Sequence, residues 1–211
     1  MNTDAWGEIL FACGVRPITV ARWASIFADE IPSVNRFSAG RAELDDFLGQ
    51  ILHESGKLEC VEENLNYSTP ERLMDVWPQR FPTLDSARPY VRNPRALANL
   101  VYGGRMGNSG PDDGWIFRGS GLVQVTGRAN VEVLAKATGW ETPEVLAESL
   151  RRDGNTALRA SIAWWEGNVP DGIMGDIARV TRRLNGGTHG LDDRRRLTEL
   201  ADNAIDRKGI A

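Results

Sequence analysis

Short helical segments separated by glycine and proline make up most of the chain, and this pattern limits the fold more than any other feature. The clearest segment is "AELDDFLGQILHESG", which ends at Gly56. Its apolar residues recur at the spacing of one helix face: Leu44, Phe47, Leu48, Ile51 and Leu52. Similar segments run from "TDAWGEILFACG" at the start to "LDDRRRLTELADNAI" near the end. The sequence therefore predicts a mainly α fold.

The middle of the chain has a different character. Residues 103–127, "GGRMGNSGPDDGWIFRGSGLVQVTG", are rich in glycine and show little helical period. This stretch predicts loops and a small β-hairpin that pairs "WIF" with "LVQV". With 211 residues, 41% of them hydrophobic, and no repeat or linker, the sequence predicts one domain around one core.

Charge and composition exclude several classes of protein. The net charge of −4 argues against a dedicated nucleic-acid binder. No apolar run approaches the roughly 18 residues that a membrane span needs. Two cysteines and two histidines are too few for a disulfide framework or a four-ligand metal site, so we expect no metal and no cofactor. The first residues lack the basic start of a signal peptide.

An acid stands on the apolar face of the clearest helix. Phe47, Ile51 and Glu54 are spaced i, i+4 and i+7, so Glu54 ends the stripe that packs inward. Partial burial and the negative helix end both disfavour its carboxylate, which suits an acid that donates a proton near neutral pH. The alternative is a helix-end glutamate that turns into water.

Three more acids, Glu59, Glu62 and Glu63, follow the predicted break at Gly56. The chain can turn back there and bring one of them beside Glu54. A neutral, donating carboxyl group and an ionised one are the pair that glycoside hydrolysis needs. The alternative is a solvated acidic loop, and spacing alone does not choose among the three glutamates.

Other catalytic motifs are incomplete. His53 and Glu54 begin like a zinc-protease helix, but Lys57 stands where the second histidine is needed. The stretch "GSGLVQ" lacks the third glycine of a dinucleotide-binding loop. There is no phosphate-binding loop and no G-x-S-x-G motif.

Four sequence blocks together resemble the family 19 glycoside hydrolases, in particular the phage-type endolysins related to plant chitinases. In chain order they are "LHESGKLECVEENLNYS", "YGGRMGN", "DGWIFRGSGLVQVTGRAN" and "LNGG". The resemblance runs from about residue 44 to 187 and implies a helical, lysozyme-like fold with an inverting mechanism. It assigns the general acid to Glu54 and the general base to Glu63. Inverting chemistry needs carboxyl groups roughly 6.5–9.5 Å apart.

The resemblance also implies substrate contacts. Thr126 matches the hydroxyl residue that orients the attacking water. Gln124, Asn130 and Asn185 match residues that contact the sugar. Trp115, beside the glycine-rich loop, is the tryptophan best suited to stack on a sugar ring, and Tyr67 is a further residue expected to bind substrate. An extended strand would point Gln124 and Thr126 to the same side, whereas each amide or hydroxyl alone also fits a turn or cap. Two positions depart from the family pattern, since Ser120 replaces an arginine and Val131 a tyrosine.

Peptidoglycan and chitin both contain β-1,4-linked N-acetylglucosamine, so the same acid and base serve either polymer. The "HES…EEN…RMGN" pattern and the scarcity of cysteine favour the lysin branch. A catalytically inactive carbohydrate-binding relative is the third alternative, although the residues for catalysis are all present.

The resemblance sets a biological expectation as well. We expect a monomer that binds peptidoglycan glycan strands, with no nucleic-acid partner and no stable membrane insertion. It would be made in the cytoplasm of an infected Gram-negative host and reach the wall after holin release. Residues 1–211 form one catalytic domain in this prediction, with 1–36 as a helical elaboration and no separate wall-binding domain. The Arg182–Arg183 and Arg194–Arg196 clusters are either salt-bridged helix faces or contacts for acidic wall components.

Overall fold

The computed structural model describes residues 1–209. They form two compact units. The first unit comprises Met1–Val61, Gly121–Gln124 and the chain from Ser149 onward, and the second comprises Glu62–Ser120 and Val125–Glu148. The single-domain interpretation stays a prediction.

Helices dominate both units, which confirms the predicted fold class. Twelve α-helices lie within residues 1–209: α1 Thr3–Ala12, α2 Pro17–Glu30, α3 Arg41–Glu54, α4 Pro70–Val76, α5 Leu84–Ala87, α6 Pro94–Tyr102, α7 Asp113–Ile116, α8 Arg128–Thr138, α9 Pro143–Arg152, α10 Gly154–Asn168, α11 Ile177–Asn185 and α12 Leu191–Asp206. Short 3-10 turns occur at Val34–Arg36, Arg88–Tyr90 and Asp171–Ile173. No helix in this described part has the length and hydropathy of a membrane span.

Helix α3 is the centre of the first unit. Its Phe47 ring meets Trp165 of α10 edge-on, with ring centroids 5.4 Å apart. The N-terminal helices α1 and α2 belong to the same buried cluster and contribute Trp6 and Trp23, both fully buried. Residues 1–36 therefore help to form the core around α3.

Helices α3 and α12 approach each other closely at Gly49. A β-carbon at this glycine would lie 1.9 Å from Thr198 Oγ1 and 3.1 Å from the backbone oxygen of Arg194. A residue with a side chain would collide with Thr198 at this position, so glycine allows the two helices to pack this closely. This close approach brings Arg194 against the second half of α3, where Glu54 lies.

Buried aspartates on α3 make the stability of the protein depend on pH. Asp46 is 1% exposed and accepts a hydrogen bond from the Gly175 backbone N–H at 2.7 Å. Burial raises its pKa from 3.8 to about 6, and burial likewise raises the pKa of Asp45 to about 7. Because the pKa of Asp46 is higher in the folded protein than in the unfolded chain, protonated Asp46 contributes its full stabilisation of the folded state below pH 3.8. This stabilisation is lost as the pH rises through about 6.

We therefore expect Asp46→Asn to flatten the pH dependence of stability. The amide oxygen can still accept from Gly175, while the cost of burying a charge disappears. The free energy of unfolding should rise by about 2 kcal/mol at pH 8 and stay nearly unchanged at pH 4, measured by urea denaturation. Asp29→Asn, at an exposed position of α2, is the control and should change neither value. An equal effect at both pH values would contradict the burial argument.

The second unit has its own core, built on α4 to α7. Its buried residues are Leu65, Leu73, Phe81, Ala87, Leu97, Ala98 and Val101. Helices α6 and α7 touch at Gly114, where a β-carbon would lie 2.5 Å from the backbone oxygen of Ala98. The "DGW" stretch must therefore contain glycine at this position for α7 to pack on α6.

The "RMGN" block caps helix α8. The Arg128 backbone N–H donates to Asn108 Oδ1 at 2.8 Å, and the Ala129 N–H donates to the Met106 carbonyl at 3.0 Å. These bonds satisfy two of the amide groups that a helix leaves unpaired at its start. Met106 adopts a left-handed backbone with φ of 52° to reach this position.

The predicted β-hairpin is wrong. Trp115 and Ile116 lie in α7, and residues 121–124 form a turn. The strand pairing found in the described chain is limited to single bridges, from Ser120 to Glu62 and from Ser120 to Val125. Gln124 has a φ of 51°, so it does not alternate with Thr126 along an extended strand. Frequent glycines let this segment turn too often to continue a ladder.

Candidate active site

Glu54 is the last residue of α3 and forms an ion pair with Arg194 of α12. The distance from Arg194 Nη2 to Glu54 Oε1 is 2.6 Å. The Glu54 side chain is 29% exposed, whereas that of Arg194 is 2% exposed. The sequence predicted apolar surroundings for this acid, and the structure instead places a buried guanidinium against one of its oxygens.

Arg194 is held in place by further polar groups of the first unit. Its Nη1 donates to Gln50 Oε1 at 2.6 Å, and its Nε donates to the His189 carbonyl at 3.1 Å. Gln50 in turn donates to Thr181 Oγ1 at 3.2 Å. Because these partners fix the guanidinium, they also fix the carboxyl group of Glu54. The sequence showed Arg194 only as one member of an arginine cluster.

Asn185 is tied to the same network. Its Nδ2 donates to the His189 carbonyl at 3.3 Å, which also accepts from Arg194. Its Oδ1 accepts from the Gly187 backbone N–H at 2.9 Å. The structure thus brings together two residues predicted for the site, Glu54 and Asn185, through one carbonyl group. Neighbouring arginines of the cluster pair with acids, as Arg196 does with Asp193 at 2.6 Å.

Glu63, in the second unit, is held by uncharged donors. The Tyr102 hydroxyl donates to Glu63 Oε1 at 2.6 Å, and the Gly119 backbone N–H donates to Oε2 at 3.2 Å. The Glu63 N–H also donates to the Gly119 carbonyl at 2.9 Å. Burial and the bond to Glu63 raise the pKa of Tyr102 well above its ordinary value, so the phenol stays neutral and keeps its donor proton.

The structure distinguishes the three glutamates that spacing left equivalent. Glu59 pairs with Arg16 and accepts from Thr19, and these hydrogen bonds lower its pKa to about 2. Glu62 accepts from Arg118 Nε at 2.9 Å. The low pKa of Glu59 makes it a poor proton acceptor, and Arg118 occupies one oxygen of the Glu62 carboxylate. Glu63 is bonded to neutral groups and is therefore the best placed of the three to accept a proton from water.

A pocket of about 310 Å³ lies beside Glu63 within the second unit. The Arg118 guanidinium covers one side of the Trp115 ring, 3.6 Å from the ring centroid. Groups of these kinds can bind an N-acetylated sugar. Amides and carboxylates hydrogen-bond to its hydroxyl and acetamido groups, and an indole packs against the face of its ring. The pocket is lined by Glu62, Glu63, Asn64, Leu65, Asn66, Pro94 and Trp115.

The other residues predicted for the site make local contacts. Asn130 donates from Nδ2 to the Thr126 carbonyl at 2.8 Å, so these two residues are neighbours in the second unit. Tyr67 packs its ring against Trp77, with centroids 5.3 Å apart. Gln124, in the first unit, donates from Nε2 to the Gly121 carbonyl at 2.9 Å. Its amide therefore shapes a turn.

Sequence reasoning missed several groups around the two acids. Tyr102 belongs to the "YGGRMGN" block, but that block carried no chemical assignment. Asn64, Asn66 and Pro94 follow from the structure alone, because they meet only through the fold of the second unit. Within residues 1–209 we find no group of three or more acidic, histidine or cysteine side chains that would hold a metal.

Known proteins resemble this chain in sequence and in fold. A Haemophilus influenzae protein described as a glycosyl hydrolase family 19 domain-containing protein is 37% identical over 154 residues, which cover 72% of this chain and 74% of that protein. The chain belongs to glycosyl hydrolase family 19. No family model matches it.

Solved structures agree with this family at the level of the fold. A crystal structure of a chitinase C mutant matches with a TM-score of 0.59 at 10% identity, over 97% of this chain and 76% of that one. A bacterial family 19 chitinase matches with a TM-score of 0.54 at 16% identity, over 95% and 94% of the two chains. The lysozyme-like helical fold predicted for this family 19 protein is thereby confirmed, and its family supports glycosidase activity.

Tyr102→Phe tests the contact that holds Glu63. Loss of the hydroxyl removes one donor to a carboxylate, so we expect kcat to fall about tenfold. KM should change little, because the lost hydroxyl contacts Glu63 and does not line the pocket. Tyr90→Phe is the matched control, since Tyr90 only packs in the second core. A raised KM with an unchanged kcat would contradict a role in holding Glu63.

Proposed function

We propose that this family 19 glycosidase is an endolysin that hydrolyses β-1,4 glycosidic bonds of bacterial peptidoglycan. The observation that carries the proposal is the environment of Glu63. Neutral donors hold this carboxylate at the wall of a pocket lined by amides and an indole. That arrangement suits a general base acting on an N-acetylated sugar.

In the proposed mechanism Glu54 is the general acid. The bond from Arg194 occupies Oε1 and orients the carboxyl group. In the reacting complex the other oxygen, Oε2, carries a proton, and this proton passes to the leaving glycosidic oxygen. Glu63 takes a proton from water as that water attacks the anomeric carbon from the opposite face. Thr126 orients the water. The bond to the leaving sugar breaks as the new C–O bond forms, so the product has the inverted configuration.

Peptidoglycan is preferred over chitin on two grounds. The "HES…EEN…RMGN" pattern resembles the lysin branch. Cys13 and Cys60 are both free, unlike the disulfide-bonded cysteines of secreted plant enzymes. Chitin remains the second candidate substrate, because both matched crystal structures are chitinases.

The biological part of the proposal follows from the lysin branch. We propose that the protein is a monomer made in the cytoplasm of an infected Gram-negative cell. It reaches the glycan strands after a holin opens the inner membrane, and cleavage then lyses the host. The proposed reaction needs no metal, and we propose no nucleic-acid partner.

Digestion of two polymers tests the substrate. Purified sacculi and chitin hexamers are treated with the protein, the products are reduced with borohydride, and mass analysis identifies each new reducing end. We expect soluble muropeptides from sacculi at a rate at least tenfold above the rate on chitin. Faster cleavage of chitin would favour the chitinase alternative, and no turnover of either polymer would favour an inactive relative. The initial anomer, observed by NMR, tests inversion.

A further inference from the structure

Arg92 has an unusual backbone that the structure holds in place. Its φ is 51°, in the left-handed region that residues other than glycine, asparagine and aspartate rarely enter. Its N–H donates to the Tyr67 carbonyl at 2.8 Å. Such conformations persist where the surroundings fix them, and they concentrate at functional sites.

This hydrogen bond places Arg92 beside the pocket that contains Glu63. Tyr67 directly follows Asn66, and Arg92 precedes Pro94 by two residues. Asn66 and Pro94 both line the pocket. The backbone of Arg92 is thus joined to the pocket wall from two directions, along the chain to Pro94 and across the hydrogen bond to Tyr67.

The side chain of Arg92 is exposed to solvent. Its neighbours along this stretch pair with acids: Arg88 with Asp85 at 3.1 Å and Arg95 with Asp112 at 2.5 Å. Arg92 makes neither an ion pair nor a side-chain hydrogen bond with the residues that the structure describes. An exposed arginine that has no partner, and whose backbone is fixed beside a pocket, is available to an anionic ligand that extends from the pocket.

We propose that Arg92 binds a carboxylate of the peptide attached to the glycan strand, and so makes the pocket prefer peptide-bearing peptidoglycan. This inference rests on the proposed function. The stem peptides of peptidoglycan carry free carboxylates, whereas chitin carries no charge. Arginine matches a carboxylate with two parallel hydrogen bonds, which gives direction as well as attraction. Arg92 is therefore a specificity residue that acts outside the acid–base chemistry.

Binding measurements separate this role from catalysis. The ligands are soluble glycan tetrasaccharides of peptidoglycan, with stem peptides and after an amidase has removed them, and a chitin tetramer. Isothermal titration at low salt is done with Glu54→Gln protein, which should bind these fragments without cleaving them, and with the same protein carrying Arg92→Gln. We expect the substitution to weaken binding of the peptide-bearing fragment about three- to tenfold and to leave the two peptide-free ligands unchanged. Arg92→Lys should recover part of the loss, and added salt should shrink the difference.

A matched control is Arg72→Gln, because Arg72 is an exposed arginine of the same unit that does not line the pocket. In the same Glu54→Gln protein it should leave the binding of all three ligands unchanged. Equal weakening for all three ligands by Arg92→Gln, or no weakening for any, would overturn the inference. Hydrolysis by the wild type is measured separately. If Arg92 contributes to binding of the peptide-bearing fragment but the wild type cleaves only chitin, the proposed function is wrong and the Arg92 contact still holds.

Discussion

Glu54→Gln is expected to lower kcat on sacculi or chitin oligomers by about 10²–10⁴-fold, the range that a positioned general acid contributes. Glutamine cannot donate a proton to the leaving oxygen, although its amide oxygen can still accept the bond from Arg194. Because Arg194 then loses the charge of its partner, the free energy of unfolding should also fall by about 1–2 kcal/mol. Initial rates and urea denaturation measure the two effects independently.

The leaving group provides the sharper test of the acid. An aryl glycoside of chito-oligosaccharide whose phenol is strongly acidic departs without protonation, so Glu54→Gln should lose far less activity on it than on the natural bond. The exposed Glu8→Gln, in α1, is the control and should behave like the wild type on both substrates. The same loss on both substrates, or near-normal turnover of the natural one, would show that Glu54 is not the proton donor.

Glu63→Gln should produce a loss of similar size, about 10²–10⁴-fold in kcat, for a different reason. The amide still accepts from Tyr102 and Gly119, but it cannot remove a proton from the attacking water. Leaving-group acidity should make no difference to this loss. Initial rates on the natural polymer and on the aryl glycoside measure it.

Comparison with the neighbouring acids tests the assignment of the base. Glu62→Gln and Glu59→Gln remove carboxylates that pair with Arg118 and Arg16, and each should cost less than about tenfold. In Glu63→Ala, azide should restore turnover and give a glycosyl azide of inverted configuration. A loss at Glu62 as large as the loss at Glu63, without azide rescue, would move the base to the adjacent residue.

The helices could be predicted from the sequence because their signals are local. Helix α3 was expected to end near Gly56 and ends at Glu54, and α11 stops at Gly186 in the left-handed conformation. The four-residue helices α5 and α7 were missed, since so short a segment has no periodic pattern. The hairpin was a wrong prediction for a related reason: alternation over four residues does not show whether the chain will turn between them.

The candidate site, too, could be predicted only in part from the sequence. Motif order and the resemblance pointed to Glu54 and Glu63, and family membership now supports a glycosidase. The chemical surroundings of these acids were not predicted. Arg194 lies far from Glu54 in sequence, and Tyr102 lies far from Glu63, so no spacing rule connects them.

The sequence by itself determined the helical composition, the helix ends and the set of acids available for chemistry, because apolar periodicity and glycine or proline breaks act over a few residues. Only the tertiary structure decided which acid meets which partner. Close approach at Gly49 places a buried arginine against Glu54, and the fold of the second unit gives Glu63 neutral donors while Glu62 receives a cation. The chemical role of a carboxyl group depends on the charges and donors that surround it, and packing brings these from distant parts of the chain.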